Sequence, residues 1–168
     1  MATVTLKGNP FQTTGELPTV GQTAPDFSLV KEDLSALTLN DFKGTNLILN
    51  IFPSIDTPTC ATSVRTFNQR AAAMENTKVV CVSRDLPFAQ KRFCQKEQVD
   101  KLQVLSDAVW GDFGSSYGLR IKDMGILTRA VLIIDNSGTL VYQQLVPLLS
   151  QEPDYQAALN KLKELNKV

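Results

Sequence analysis

Two rhythms run through the apolar positions of this chain. Near the N-terminus "TVTLKG" alternates, "GNP" reads as a turn and "FQTTG" can return, so residues 1–20 predict a β-hairpin. "VGQTAPDFSLV" is a Gly/Pro loop that leads into a short strand, and "LNDFKG" is a brief helical turn. From there strand and helix alternate. "NLILNIF" is apolar without interruption, the pattern of a strand buried on both faces. "PTCATSVRTFNQRAAAMEN" places Val64, Phe67 and Ala71 at spacings of three and four, which predicts a helix over 58–76. "TKVVCVSR" is a second buried strand, "LPFAQKRFCQKEQV" a second helix and "LQVLSD" a third strand. A short helix broken by glycines follows in "AVWGDFGSSYGLRI". "RAVLIIDNSGTLVYQQLV" reads as a hairpin turning at Asn136-Ser137-Gly138, and an amphipathic helix with Pro153 near its first turn closes the chain.

The order is hairpin, βαβαβ, hairpin, helix. It predicts an α/β protein: a thioredoxin-like fold whose mixed central sheet is flanked by helices, with an N-terminal β-hairpin extension. Parallel crossovers should be right-handed. With 168 residues and no linker or repeat, the expected organisation is one domain over 1–168.

Charge narrows the role. Lys plus Arg and Asp plus Glu are both 17, with no basic block, so nucleic-acid and membrane-surface binding lack electrostatic support. No apolar run approaches a bilayer span, and the first residues lack a signal-peptide profile, so the expected compartment is the cytoplasm. The three cysteines are Cys60, Cys81 and Cys94. An odd number argues against a structural disulfide framework. The absence of His and of any CxxC pair argues against zinc.

The stretch "PSIDTPTC" carries the candidate chemistry. Pro53 stops the strand ladder because it has no N–H. Thr57 suits the N-cap of the following helix and Pro58 its first position, which puts Cys60 in the first turn. A sulfur there meets unsatisfied N–H groups and the positive end of the helix dipole, and both favour thiolate over thiol. A more acidic thiol is also a weaker nucleophile, so ionisation alone gains little rate. Donors that stabilise charge on the attacked group must supply the rest. Cys81 alternates with valines in "KVVCVS" and reads as a buried structural residue. Cys94 lies among charged residues in "KRFCQKE", which predicts at least partial exposure.

At these residues the chain resembles the peroxiredoxins, whose signature is Pro, three residues, Thr or Ser, two residues, then Cys. The flanks "LNIFPSID", "CATSVR", "NTKVVCVSRDLPFAQKRFC", "RAVLIID" and "EPDYQAAL" are similar to the thiol peroxidase (Tpx) subfamily, the atypical two-cysteine type. The resemblance implies a peroxidase in which Cys60 attacks a hydroperoxide and becomes a sulfenic acid. Thr57 would orient the peroxide, Pro53 would shield the site, and Arg129 would stabilise thiolate and transition state. Cys94 would resolve the sulfenic acid into an intrachain disulfide that thioredoxin reduces. The resemblance implies no metal or organic cofactor, a homodimer, and a preference for alkyl or lipid-like hydroperoxides over hydrogen peroxide. Ile55, Pro58, Phe88 and Phe93 are candidates for an apolar rim.

On residues alone, Arg129 can equally be a solvated strand-end charge, and Arg65 can pair with an acid on the helix surface. Cys60 and Cys94 sit on different helices, and a disulfide needs Cα atoms within about 7 Å. The reduced form should therefore hold them apart, with local unwinding on oxidation. A disulfide reductase would need a second thiol where Thr57 stands. A redox switch without turnover and a scaffold without chemistry complete the alternatives.

Overall fold

The uninterrupted apolar runs become the centre of one sheet. The computed structural model describes residues 1–71 and 74–166. Within it β1 (Thr3–Leu6) and β2 (Asn9–Gln12) form a separate antiparallel pair. The main sheet contains β3 (Ser28–Val30), β4 (Ala36–Thr38), β5 (Asn46–Ile51), β6 (Thr77–Ser83), β7 (Gln103–Ser106), β8 (Ala130–Ile134) and β9 (Leu140–Leu145). Their spatial order is β4-β3-β7-β6-β5-β8-β9. Only β5, β6 and β7 run parallel, and the other pairings are antiparallel. Helices α1 (Pro58–Arg70) and α2 (Pro87–Glu97) are the crossovers of that parallel core. α3 (Asp112–Ser116) and α4 (Tyr155–Leu165) follow later.

Every residue of β5 is buried. Leu47, Leu49 and Ile51 face a core with Phe27, Phe113 and Tyr117, while Ile48 and Phe52 face one with Phe67, Phe93 and Leu162. Each fully buried aliphatic or aromatic side chain contributes about 1.5–3 kcal/mol. Two dry faces on one strand therefore fix its register and fix where its C-terminal end delivers the chain. The mixed, thioredoxin-like sheet matches the expectation from the pattern of elements.

Several boundaries differ from the sequence reading. The first hairpin turns at Lys7-Gly8, not at "GNP": both residues have positive φ and Leu6 pairs with Asn9. Pro10 then lies in an edge strand, where a missing N–H is tolerated. β4 was not expected, because three residues show no period; Thr38 at its end is the cap of a 3-10 turn over Leu39–Phe42. α1 stops at Arg70 rather than continuing to 76; residues 72 and 73 lie outside the described residues, and Asn76 has positive φ just before β6. Pro153 stands near the first turn of α4 as expected, one residue before the cap, where the Asp154 carboxylate accepts from the Ala157 N–H. One glycine is obligatory at its place. A Cβ on Gly118, φ +64°, would lie 2.4 Å from the Glu16 backbone.

Candidate active site

β5 ends at Ile51, and Phe52 and Pro53 carry the chain off the sheet into a turn. Thr57 has the extended conformation of an N-cap (φ −99°, ψ 144°) and Pro58 takes the first helical position. The Cys60 N–H donates to Thr57 Oγ1 at 3.3 Å, and Thr57 Oγ1 donates to the Ser54 carbonyl at 3.2 Å. Cys60 is thus held in the first turn of α1, as the Thr-Pro-Thr-Cys spacing requires. Its side chain is fully buried.

Register brings the cation. β8 pairs antiparallel with β5, and Ala130 stands opposite Ile51. Arg129, one residue earlier in the chain, therefore arrives just past the end of β5, beside the start of α1. Its Nη2 donates to Cys60 Sγ at 3.1 Å and its Nε to the Leu149 carbonyl at 3.1 Å. Nη1 is buried with no hydrogen-bond partner. Arg129 is 1% exposed, so the alternative of a solvated strand-end charge is excluded.

Three polar residues that the sequence reading passed over hold this arrangement. Ser63 donates to the Cys60 carbonyl at 2.7 Å and accepts from Asn50 Nδ2 at 3.1 Å, which ties α1 to β5 inside the core. Asp85, in the turn before α2, accepts from Ser54 Oγ at 2.7 Å and from the Ile55 N–H at 2.9 Å. A polar Asn inside an apolar strand was the available signal for the first pair. Nothing in the sequence signalled the second contact, which joins residues thirty apart.

Cys94 departs from expectation. It is 8% exposed, not partly solvated. On α2 the residues Pro87, Gln90 and Cys94 share the inward face, and the charged neighbours point elsewhere. Burial, then the charge and hydrogen bond of Glu32, push its thiol up to about 12. Burial likewise pushes Cys81 up to about 12, although Asn50 donates to its sulfur. All three cysteines are free, and all three belong to the core layer between the sheet and helices α1, α2 and α4. Arg65 pairs with Glu97 of α2 at 3.4 Å. Phe93 lines a cavity of about 290 Å³ with Ile55, Thr57, Pro58, Ala61 and Ala89, whereas Phe88 is 64% exposed and does not line it. Pro53 sits half-buried in the turn below the cap. Among the described residues no cluster of His, Cys, Asp or Glu could hold a metal ion, and no helix is long and apolar enough to cross a membrane.

The chain matches the Redoxin family over residues 19–159. It is 51% identical to the thiol peroxidase of Mycobacterium tuberculosis, across 96% of this chain and 99% of that protein. The chain belongs to the thiol peroxidases. The thiol peroxidase of Corynebacterium glutamicum is 46% identical over the same shares of the two chains. Among solved structures, a peroxiredoxin-like protein from Aquifex aeolicus superposes with a TM-score of 0.92 at 43% identity, covering 97% of this chain and 96% of the other. A thiol peroxidase from Chromobacterium violaceum shares the fold at a TM-score of 0.89 and 19% identity, covering 98% of each chain. Membership makes the chain a peroxidase oxidoreductase that reduces hydroperoxides with thiols.

Proposed function

We propose that Cys60 is the peroxidatic thiol of a two-cysteine cycle closed by Cys94. The observation that carries this reading is the 3.1 Å bond from Arg129 Nη2 to Cys60 Sγ at a helix N-terminus. The Cys60 thiolate attacks the terminal oxygen of the hydroperoxide, the O–O bond breaks, and the alcohol leaves with a proton. Sulfur is oxidised to sulfenic acid and the peroxide is reduced. Charge grows on both oxygens as the bond stretches, and a guanidinium already in place stabilises it without reorganising. The unpaired Nη1 is a spare donor on that same group. Thr57 orients the peroxide, and Pro53 keeps water from the turn.

Cys94 then displaces water from the sulfenic acid and forms the Cys60–Cys94 disulfide, which the dithiol of thioredoxin reduces. In the reduced fold burial keeps Cys94 protonated. Leaving its pocket by unwinding of α2 restores ordinary thiol acidity, so resolution is tied to local opening. Alkyl and lipid-like hydroperoxides are the preferred substrates, with hydrogen peroxide also reduced; the cleft beside the cap offers Ile55, Pro58, Ala61 and Phe93 to an alkyl group, among the charged Asp56, Arg92, Lys96 and Glu97. The protein works as a cytoplasmic homodimer in antioxidant defence, without metal or organic cofactor, nucleic acid or membrane.

Two substitutions test the cycle. Cys60→Ser abolishes hydroperoxide consumption. Cys94→Ser allows one rapid oxidation of Cys60 but blocks thioredoxin-coupled turnover. Normal turnover of Cys94→Ser with thioredoxin would refute its resolving role.

A further inference from the structure

Asp85 joins the two helices that bear the two reactive thiols. It lies after β6 and two residues before α2, half-buried. Oδ1 accepts from Ser54 Oγ at 2.7 Å; Oδ2 accepts from the Ile55 N–H at 2.9 Å and from Ser83 Oγ at 2.5 Å. Its carbonyl accepts from Ser106 Oγ at 2.5 Å. Asp85 is thereby anchored to the end of β6 through its carboxylate and to the end of β7 through its carbonyl, and the turn ahead of α1 hangs on the carboxylate.

The bonds continue in both directions. Ser54 accepts at its carbonyl from the Thr57 N–H and from Thr57 Oγ1, each at 3.2 Å, and Thr57 Oγ1 accepts from the Cys60 N–H. On the other side Ser83 Oγ accepts from Gln90 Nε2 at 3.1 Å, and Gln90 also donates to the Leu105 carbonyl at 2.9 Å. Gln90 is fully buried on α2, one turn before Cys94. Asp85 touches neither sulfur, yet one run of hydrogen bonds leads from it to the Cys60 amide and another to the helix of Cys94.

We propose that Asp85 is a positioning residue, a latch that holds the 53–57 turn in the geometry for peroxide attack and releases it when the disulfide forms. The proposal rests on the two-cysteine cycle above. Closed, the latch keeps Thr57 and the Cys60 amide on target. In that cycle disulfide formation unwinds α1 or α2 locally; movement at the start of α1 pulls on Asp85 through Ser54 and Ile55, and movement of α2 pulls on it through Gln90 and Ser83. The latch thus speeds oxidation and resists resolution, two effects of opposite sign on consecutive steps. A residue that merely stabilised the folded turn would, when removed, ease unwinding and speed resolution without slowing oxidation.

Rapid quenching of the full-length reduced protein after mixing with cumene hydroperoxide separates the steps. Alkylation and mass spectrometry count Cys60 thiol, sulfenic acid and disulfide at each time. For Asp85→Ala the ratio of oxidation rate to resolution rate should fall at least fivefold, with oxidation the slower step. Asp85→Asn keeps one acceptor oxygen and should recover part of that loss. A ratio within twofold of wild type, equal slowing of both steps, or an unchanged oxidation rate overturns the latch. If Asp85→Ala does not fold, Ser54→Ala decides: it removes the hydroxyl that donates to Asp85 and accepts from the Asp56 N–H, leaving the Ile55 bond to Asp85 in place, and the ratio must fall at least twofold. A wild-type protein that forms no Cys60–Cys94 disulfide would instead sink the cycle itself; a wild-type protein that cycles while the variants keep its ratio sinks the latch alone.

Discussion

Arg129 is the side chain whose burial is costly and whose geometry the proposed chemistry uses. A buried guanidinium needs partners for its N–H groups, and here Cys60 Sγ and the Leu149 carbonyl take two of its nitrogens while Nη1 goes without. A buried donor left unpaired at an active site is one that transition-state charge can use. Removing a preorganised donor of this kind costs about 10²–10³ in rate. Arg129→Met should therefore slow Cys60 oxidation by about that factor, read from single-turnover kinetics. Arg129→Lys should not restore it, since one ammonium lacks the fork that serves sulfur and carbonyl together. A near-normal rate in either variant would remove Arg129 from the chemistry.

The buried thiols make a second residue-scale prediction. Cys81 and Cys94 start from an ordinary value near 9.0 and are pushed up to about 12 in the fold, chiefly by burial. Above pH 9 the unfolded chain gives up both protons while the folded chain keeps them. The unfolded state then binds fewer protons, so stability falls as pH rises from about 9 towards 12. Burial of Tyr117 and Tyr155 acts in the same direction. Urea midpoints between pH 8 and 11 should decline, and Cys94→Ala should show the shallower slope. A flat profile would contradict the burial of these groups. Cys60 and its N-cap were legible from residue types and spacing. The burial of Cys94 was not, because flanking charges in sequence say nothing about which face of a helix a residue occupies.

At the scale of elements, α1 depends on its first turn. Its N-cap bond, its proline at the first position and the Ser63–Asn50 pair all act within two turns of Cys60. Losing an N-cap hydroxyl costs about 1 kcal/mol of stability. Thr57→Ala should lose about that much by denaturant titration, and its Cys60 oxidation should slow at least tenfold. Thr57→Ser should keep both properties near wild type. A stability loss with an unchanged oxidation rate would leave Thr57 as a cap only. The strands and helices that carry two or more periods were readable in advance. β4, with three residues, was not, and the end of α1 was overrun because the good helix formers of "AAAMEN" carry no stop signal in the sequence after Arg70.

At the scale of the molecule, the site depends on pairings that no local pattern encodes. Arg129 reaches Cys60 because β8 runs antiparallel beside β5 in one particular register. The N-terminal hairpin contributes from further away. The Thr5 N–H donates to the Pro147 carbonyl at 2.8 Å, and the Thr5 carbonyl accepts from the Leu149 N–H at 2.9 Å. The hairpin thus pins the segment whose Leu149 carbonyl orients Arg129. Sequence placed the hairpin at the start of the chain without showing what it grips. The three thiols lie in one core layer, all unbonded. The cycle therefore asks the oxidised molecule to bring together two sulfurs that the reduced fold keeps apart from disulfide bonding.

That demand gives the most direct test. The reduced full-length protein is treated with one equivalent of an organic hydroperoxide, quenched by alkylation, digested and mapped by mass spectrometry. The account predicts one disulfide, Cys60–Cys94, with Cys81 alkylated and the hydroperoxide consumed. Alkylated Cys60 beside unconsumed hydroperoxide, or a disulfide that includes Cys81, would contradict it.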